Sequence, residues 1–266
     1  MQMSAKTIVK VKLIRDERQA MQTHHHRNAI VIALSLLISL SWSLARAQGS
    51  TTIYIPLLRT PGASQNPLHT GVATYYDATG EGNCSFEASP NNLMVAAISY
   101  EDYDLAAYCG AYVEAYGPKG TVIVRIVDKC PDAGCQAGHL DMSPQAFAQI
   151  ADLAQGRVAI TWRVVSPPIS GPIAYHFKDG SNQWWTAVQI RNHRNPIVKF
   201  EYRNAAGSWV NVARVDYNYF VQSGGMGPGP YSFRVTDSYG NLITDSGIVG
   251  GDNVTRSGSG QFPVGP

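Results

Sequence analysis

Charged residues are scarce in this chain, since Asp, Glu, Lys and Arg together make up 15% of its 266 residues. Long helical patterns are also lacking, which counts against a helical bundle or a coiled coil. In their place are 14 Tyr, 5 Trp, 25 Gly and 15 Pro, a composition typical of short strands joined by turns. Hydrophobic residues reach 44%, which is enough for a core and leaves no signature of disorder. We therefore expect a folded, mostly β protein with two domains.

A concentrated basic region is missing from the body of the protein, although the formal net charge of the whole chain is +2. The first 47 residues hold seven of the 21 basic residues and two of the 19 acidic ones. The rest of the chain therefore holds 14 basic and 17 acidic residues, a balance of −3. Binding to nucleic acid requires a concentrated basic face, so the charge distribution argues against that partner.

The N-terminus has the features of a secretory signal. An apolar run from Ala29 to Leu44 follows Arg27 and precedes the small-x-small segment Ala45-Arg46-Ala47. This run is short for a stable membrane span, which needs about 20 residues. We expect residues 1–47 to be a signal peptide with an extended n-region, cleaved after Ala47, and the mature protein to be secreted. A true start at Met21 and a retained membrane anchor are the alternatives that stay open.

Only four cysteines are present, and all of them follow the predicted signal. An even number of cysteines in an exported chain favours disulfides, for which three pairings exist. Cys130 and Cys135 close a small loop, while Cys84 and Cys109 lie in one neighbourhood, so we predict Cys84–Cys109 and Cys130–Cys135. A zinc site competes with this interpretation, but it calls for a Cys-x-x-Cys pair or paired histidines, and neither occurs after residue 47. We therefore expect no metal.

Alternating hydrophobic residues mark the strands of a first compact unit, predicted over residues 69–166 after a linker at 48–68. Hydrophobic residues recur at every second position most clearly over residues 121–126 and 158–164, which predicts two long, half-buried strands. One helix is predicted between them, with Ser143 as its N-cap and Pro144 in its first position. Phe147, Ile150 and Leu153 form its apolar stripe, and Gly156 is expected to end it.

Two adjacent prolines at positions 167 and 168 interrupt the strand pattern, which predicts a domain boundary there. Beyond them, residues 170–266 contain short period-two segments separated by Asn-, Gly- and Pro-containing turns, a spacing typical of a β-sandwich. Val198 and Trp209 lie in these segments, and Trp162 lies in the last strand of the first unit. Alternation predicts that both tryptophans belong to the core.

Six segments together resemble the expansin family in its bacterial form. Three in the first unit resemble its barrel domain: Gly71-Val-Ala-Thr-Tyr-Tyr76, Ile126-Val-Asp-Lys-Cys-Pro131 and His139-Leu-Asp-Met-Ser143. Three in the second unit resemble its cellulose-binding domain: Gly180-Ser-Asn-Gln-Trp-Trp185, Gln189-Ile-Arg-Asn-His193 and Asp216-Tyr-Asn-Tyr-Phe220. The resemblance covers about residues 69–264. It implies an all-β protein in which a six-stranded double-psi β-barrel precedes an immunoglobulin-like β-sandwich.

The resemblance also implies a functional groove on the barrel. Thr74, Asp128 and Asp141 match the family's functional positions, with Asp141 at the one treated as essential. Read without the family, Asp141 could serve the N-terminus of the predicted helix. His139 either faces the groove or stabilises the turn. Cys130 stands where an aromatic residue is common in bacterial members, so an aromatic groove contact is expected to be missing.

A second set of residues is implied to bind carbohydrate. Trp184, Trp185 and Tyr217 match a flat row of three exposed aromatics, with Lys178 beside it. Such a row suits a glucan chain because the apolar C–H faces of glucose stack on rings. Neighbours on a regular strand point to opposite faces, so both tryptophans can share one surface only if the backbone leaves strand geometry there. The competing interpretation places one of them in the core.

The resemblance implies a secreted, monomeric protein that binds cellulose and associated plant cell-wall glucans and loosens the wall without hydrolysis. No cofactor and no stable membrane partner are expected. The alternative is an enzyme on the same barrel, either a lytic transglycosylase or an endoglucanase similar to glycoside hydrolase family 45, with Asp141 as acid and Asp77 as base. Asp77 matches the base position of those endoglucanases, although it could instead open the turn that follows it. A binding module of the barwin type is a further rival.

Overall fold

The structure is a computed structural model that describes residues 66–131 and 133–266. The predicted signal peptide at 1–47 and most of the predicted linker at 48–68 lie outside the described residues. Of the linker, residues 66–68 are described, and Asn66 links the two units that follow. Its Nδ2 donates to the carbonyl oxygen of Val164 at 2.7 Å and to the hydroxyl of Tyr239 at 2.6 Å.

Six strands of the first unit close into a barrel, as predicted. The strands are β1 (His69–Tyr75), β2 (Val95–Ser99), β3 (Tyr112–Tyr116), β4 (Thr121–Cys130), β5 (Leu140–Met142) and β6 (Val158–Val165). Their order around the barrel is β1-β5-β2-β4-β3-β6. The β1–β5 and β2–β4 pairs are parallel, and the other neighbours are antiparallel. Both parallel pairs involve strands that carry segments of the predicted groove.

Hydrophobic alternation explains the two longest strands. In β4, Val124 and Ile126 are fully buried in the barrel core, and β6 contributes Ile160 and Trp162. The pairing of β2 with β4 shifts by one residue at Val127, so that Ala96 lies opposite Ile126 and the next β2 residue lies opposite Asp128. This irregularity keeps Val127 buried and moves the residues after it to the other side of the strand.

The helix begins where the sequence predicts and ends earlier. Helix α1 spans Pro144–Ile150, and the Ser143 side chain accepts a hydrogen bond from the Ala146 N–H at 3.0 Å. The predicted end at Gly156 is wrong, because the backbone turns extended at Ala151. Residues Leu153–Gln155 instead form a separate 3₁₀ turn that Gly156 caps, and the Leu153 side chain is exposed. The apolar stripe therefore stops at Ile150.

The second unit is a β-sandwich of two four-stranded sheets, which agrees with the predicted fold class. Its strands are β7 (Ala174–Phe177), β8 (Thr186–Arg191), β9 (Ile197–Arg203), β10 (Trp209–Val212), β11 (Phe220–Gln222), β12 (Tyr231–Asp237), β13 (Leu242–Ile248) and β14 (Val254–Ser257). The sheet orders are β10-β9-β12-β13 and β11-β8-β7-β14. Rings from both sheets fill the space between them, including Tyr175, Phe177, Phe200 and Phe233.

Two residues of the alternating segments in the sandwich lie outside its core, and for Trp209 this contradicts the prediction. Val198 is exposed because the pairing of β9 with β12 shifts between Thr236 and Asp237, which leaves Val198 out of register. Trp209 is only partly buried. In β10 the Val212 side chain points into the core, and alternation turns the Trp209 side chain to the outer face of the sheet. The guanidinium of Arg234 covers the Trp209 ring at 4.6 Å from its centroid. Trp162, in contrast, is fully buried as predicted.

Both predicted disulfides are present. Cys84 pairs with Cys109 and Cys130 pairs with Cys135, with Cα–Cα separations of 5.4 and 6.0 Å. We expect thiol titration of the unfolded, unreduced protein to detect no free thiol, because all four cysteines are paired. Peptide mapping should find Cys130 joined to Cys135. Two thiols titrating before addition of reductant would contradict the pairing, and the fully reduced protein, with four thiols, is the control.

None of the helices in the described part of the chain is long and apolar enough to cross a membrane.

Candidate functional site

Three of the predicted groove residues lie in one row across four adjacent strands of the barrel. Thr74 on β1 lies opposite Asp141 on β5, which lies opposite Ala97 on β2, which in turn lies opposite Asp128 on β4. Residues directly opposite each other on paired strands share a face of the sheet. With neighbouring strands about 4.8 Å apart, the backbones of Asp128 and Asp141 are separated by roughly 10 Å. We call these four residues the carboxylate row.

The carboxylate row faces the outside of the barrel. On β2, Ala96 and Ile98 are fully buried in the barrel core, whereas Ala97 belongs to a small separate cluster with both cysteines of the Cys130–Cys135 disulfide. The Tyr76 ring packs against this cluster. The disulfide loop and Tyr76 therefore form the floor and wall of a shallow surface groove along the row.

The Thr74 hydroxyl connects Asp141 to His139. It donates to Oδ1 of Asp141 at 2.5 Å and lies 2.8 Å from Nε2 of His139. The other ring nitrogen of the buried His139, Nδ1, lies 3.1 Å from the carbonyl oxygen of Gly134. A carbonyl only accepts, so Nδ1 is the donor in that contact. The buried His139 therefore contacts Thr74 of the carboxylate row through one ring nitrogen and the loop at Gly134 through the other.

Asp128 is oriented by backbone donors. Its Oδ1 accepts from the N–H of Asn83 at 2.6 Å and from its neighbour Lys129 N–H at 2.8 Å. Gly82 permits this approach, since a Cβ atom there would lie 2.4 Å from Cγ of Asp128. The loop that begins at Gly82 therefore fixes one oxygen of the carboxylate and leaves Asp128 as an acceptor with a set direction.

Tyr76 is a groove residue that the sequence analysis did not single out. Burial of the ring raises its pKa, and the nearby carboxylates of Asp128 and Asp141 raise it further. The hydroxyl therefore stays protonated across the physiological range, and its oxygen is buried without a hydrogen bond to any described residue. The signal was available in the sequence, because Tyr76 lies two residues after Thr74 and alternation places both side chains on one face.

Asp77 lies apart from the carboxylate row. It follows the end of β1, is exposed, and makes no side-chain hydrogen bond with any residue that the structure describes. Two residues further on, the Thr79 hydroxyl accepts from the Glu81 N–H at 3.3 Å. Among the described residues, none orients the Asp77 carboxylate toward the groove.

Trp184 and Trp185 lie in a tight turn and not in a regular strand, so the condition for both to share one surface is met. The side-chain oxygen of Asn182 accepts from the N–H groups of Trp184 and Trp185 at 2.9 and 3.2 Å. The Asn182 N–H donates back to the Trp185 carbonyl at 2.7 Å. Trp184 is 72% exposed, while Trp185 is partly buried at the start of β8.

Tyr217 lies at a second turn, immediately before β11, which pairs with β8. The Val215 N–H donates to the Tyr219 carbonyl at 2.8 Å and closes this turn, so that the Tyr217 ring is 38% exposed. Tyr219 supports it from below at 5.9 Å between ring centroids, and Lys178 lies 5.9 Å over the Tyr219 ring. We call Trp184, Trp185, Tyr217 and Lys178 the aromatic surface.

An ion pair joins the two sets of residues. Lys129 follows Asp128 in the sequence, and Asp216 precedes Tyr217. Nζ of Lys129 lies 2.8 Å from Oδ2 of Asp216, and this hydrogen bond lowers the pKa of Asp216. Asn83, which binds Asp128 through its backbone, also donates its side-chain amide to the Asp216 carbonyl at 2.9 Å. The carboxylate row and the Tyr217 end of the aromatic surface are therefore fixed next to each other. Sequence reasoning missed this link because no local pattern pairs residues 87 positions apart.

Metal ligation was also considered. Within residues 66–131 and 133–266, no group of three or more His, Cys, Asp or Glu side chains is arranged to hold a metal ion.

Comparisons with known proteins agree with this architecture. The lytic transglycolase family model matches residues 69–162, which span the barrel only. The Bacillus subtilis (strain 168) protein Expansin-YoaJ is 38% identical over 189 residues, covering 69% of this chain and 80% of that protein. Expansin-like protein 2 of Dictyostelium discoideum is 32% identical over 200 residues, covering 72% of this chain and 49% of that protein.

Solved structures give the same result for the whole described region. The apo expansin of Clavibacter michiganensis matches with a TM-score of 0.68 at 34% identity, covering 75% of this chain and all of that one. A point mutant of the Clavibacter expansin in complex with cellohexaose matches with a TM-score of 0.68 at 33% identity, with the same coverage. Since the matches to expansins extend over both the barrel and the sandwich, the chain belongs to the expansin family.

Proposed function

We propose that this protein is a secreted expansin that binds cellulose and loosens plant cell-wall polysaccharide networks without hydrolysing them. The observation that carries the proposal is the Lys129–Asp216 link, which joins a groove of hydrogen-bonding groups to an aromatic surface. The Clavibacter relative whose mutant holds cellohexaose supports a β-glucan as the ligand. We assign the barrel to residues 69–166 and the sandwich to residues 170–266.

The aromatic surface supplies the anchor in this proposal. Exposed rings such as Trp184 remove apolar C–H faces of a sugar from water and stack on them, which is a favourable contact of large area. Lys178 adds a cation at the edge that can donate to sugar hydroxyls, although Asp179 already accepts one of its hydrogen bonds at 2.5 Å. The partners implied are cellulose and associated wall glucans, bound by a monomer.

In this proposal the carboxylate row binds the glucan chain that is displaced. Asp141 and Asp128 present acceptors, so a glucan chain in the groove can exchange contacts with neighbouring chains for contacts with the protein. Because the row and the Tyr217 end of the aromatic surface are fixed side by side, one chain segment can be held at both. Displacement of the chain then requires binding energy only, with no bond broken.

Hydrolysis by Asp141 would require a second acidic residue, either Asp128 or Asp77. The surroundings of both residues disfavour that role. An inverting glycosidase needs an acid and a base with carboxyl groups roughly 6.5–9.5 Å apart, and a positioned water between them. Asp128 has one oxygen engaged by two backbone donors, and Asp77 is exposed with no described residue orienting it.

A loosening assay run beside a reducing-sugar assay tests the proposal. Paper strips or heat-inactivated cell walls held under constant load should extend faster with the protein than with buffer. The same samples should release no reducing ends above the level of boiled protein. Extension accompanied by soluble cello-oligosaccharides would support the endoglucanase alternative, whereas reducing ends released from peptidoglycan alone would support the lytic transglycosylase.

Replacing Trp184, Trp185 and Tyr217 together by alanine should weaken binding to crystalline cellulose by at least tenfold. Truncating exposed rings removes contact area with the ligand and opens no core cavity, so the fold should persist. A cellulose pull-down measures the binding, and thermal unfolding checks the fold. Trp209→Ala is the matched control, because this partly buried tryptophan lies on the other sheet of the sandwich. Equal binding by the triple variant and the native protein would contradict the aromatic anchor.

A further inference from the structure

A pocket of about 240 Å³ lies where the barrel meets the sandwich, away from the carboxylate row. Its lining includes two arginines, one from each domain, together with Phe86, Tyr112, Asn192 and His193. Arg125 comes from β4 of the barrel, and Arg191 comes from the end of β8 in the sandwich. We call this cavity the seam pocket.

Arg125 brings to the seam pocket a positive charge that forms no direct ion pair with a described residue. Val124 and Ile126 on either side of it are buried in the barrel core, so alternation turns Arg125 outward toward the sandwich. Its guanidinium lies 4.8 Å from the centroid of the Phe86 ring and forms no hydrogen bond or ion pair with any described residue. Burial lowers the pKa of Arg125 and the nearby Arg191 acts in the same direction, while Tyr112 and Glu87 partly oppose the shift. A guanidinium in this position is stabilised by an anion.

Arg191 shows which anion the pocket accepts. Its Nη1 lies 2.9 Å from both carboxylate oxygens of Glu87, which comes from the loop after the Cys84 disulfide. The Glu87 side chain is 70% exposed, so this carboxylate stands at the mouth of the pocket and does not fill it. The deeper donors belong to Arg125, whose planar fork matches a second carboxylate in bidentate geometry.

We propose that the seam pocket binds an acidic sugar residue, a uronic acid, through its carboxylate. The guanidinium of Arg125, which lies over the Phe86 ring, receives the carboxylate, and Tyr112 lines the pocket beside the sugar ring. The volume lies below the roughly 300–1,000 Å³ of pockets for larger ligands, which suits one sugar ring. The site is separate from the aromatic surface and does not depend on cellulose binding.

Calorimetric titration with a trimer of galacturonic acid tests this assignment. The native protein should bind the trimer saturably, and Arg125→Gln should weaken binding by about tenfold or more, since it removes a hydrogen-bonded charge. Arg157→Gln is the matched control, because Arg157 is exposed on the barrel and pairs with no described residue. Both variants lose one positive charge, so an effect of net charge alone would weaken them equally and would overturn the proposal.

Glu87→Gln gives a readout that misfolding cannot imitate. Removing the carboxylate at the mouth releases Nη1 of Arg191, whose Nε still donates to Gln189, and ends a repulsion with the ligand, so binding of the trimer should tighten severalfold. Unchanged or weaker binding by Glu87→Gln would overturn the proposal, as would equal affinity for neutral cellotriose. Acetate that binds as tightly as the trimer would reduce the site to one for simple anions and would also overturn it. Cellulose binding by all three variants should match the native protein.

Discussion

The Asp141→Asn variant should lose wall loosening, whereas Asp77→Asn should retain it. Asp141 lies in the carboxylate row and accepts a hydrogen bond from Thr74, which lies in turn against His139. Asparagine keeps the shape and one acceptor oxygen, so the Thr74 contact can persist and the barrel can fold. What is lost is the negative charge and the second acceptor, which the proposed grip on sugar hydroxyls requires. A hydrogen bond to a charged group contributes about 1.5–3 kcal/mol.

The extension of walls under constant load measures this prediction. Thermal unfolding of Asp141→Asn should stay near that of the native protein, and binding to crystalline cellulose should be unchanged because the aromatic surface is untouched. Asp77→Asn is the matched control, since it makes the same chemical change at an exposed acid outside the row. Loosening that survives in Asp141→Asn would remove the groove from the mechanism. Soluble cello-oligosaccharides that disappear in Asp77→Asn would identify the protein as a hydrolase.

Much of the barrel could be predicted because its strands follow simple alternation. Residues 121–126 and 158–164 predict β4 and β6 from period two, and the Ser143-Pro144 pair predicts the start of α1. These features depend on neighbours in sequence, where side-chain direction and capping are decided locally.

The errors came from features that depend on pairing between distant strands. In the sequence, Val198 alternates in step with Phe200 and Tyr202. The shift in register opposite β12 nevertheless exposes its side chain. The helix was predicted too long because its end is set by the backbone change at Ala151, before the apolar stripe runs out. Trp209 is a different case. Its hydrophobicity favours the core, but its position in β10 turns the side chain to the outer face of the sheet.

The candidate site also contains residues that the sequence could predict and contacts that it could not. Thr74, Asp128 and Asp141 were selected from three separate segments, yet their common row arises from the β1–β5, β2–β5 and β2–β4 pairings. The Lys129–Asp216 ion pair could not be foreseen, since it requires the placement of one domain against the other. Tyr76 could have been found, because it shares the phase of Thr74.

A second large effect is expected from His193, which is buried between the barrel and the sandwich with only 3% of its surface exposed. Its Nδ1 donates to the Asn195 carbonyl at 2.8 Å, and the barrel backbone at Gly110 approaches so closely that a Cβ atom there would lie 2.7 Å from Nε2. Burial lowers the pKa of His193 to about 4, and the charges of Arg214 and Arg125 act in the same direction, although hydrogen bonds to the backbone of Asn195 and Cys109 oppose the shift. The folded protein therefore holds this ring neutral.

Stability should consequently fall as the pH drops from 6.5 towards 4. The folded-state pKa lies below the ordinary value of 6.5, so the unfolded chain takes up a proton in this window and the folded protein does not. The full difference corresponds to about 3 kcal/mol, of which roughly 2 kcal/mol is lost between pH 7 and pH 4.5. Below the folded-state pKa the loss levels off.

Carboxylates contribute mainly at lower pH. The pKa values of Glu87, Glu114 and Glu201 are lowered from an ordinary value of 4.5, and that of Asp216 from 3.8. The stability that they contribute is fully present above those ordinary values and is lost below them. Burial also lowers the pKa of His176, so this histidine acts in the same window and direction as His193.

Urea unfolding at pH 7 and at pH 4.5, with the native protein and with His193→Gln, isolates the contribution of His193. Glutamine keeps a donor for the Asn195 carbonyl but does not titrate, so most of the difference in unfolding free energy between the two pH values should vanish in this variant. His176→Gln, the control, should remove a smaller part, because His176 lies on the outer face of the sandwich sheet. If His193→Gln loses as much stability on acidification as the native protein, the ring is not held neutral at the seam, and the acid sensitivity must come from other groups.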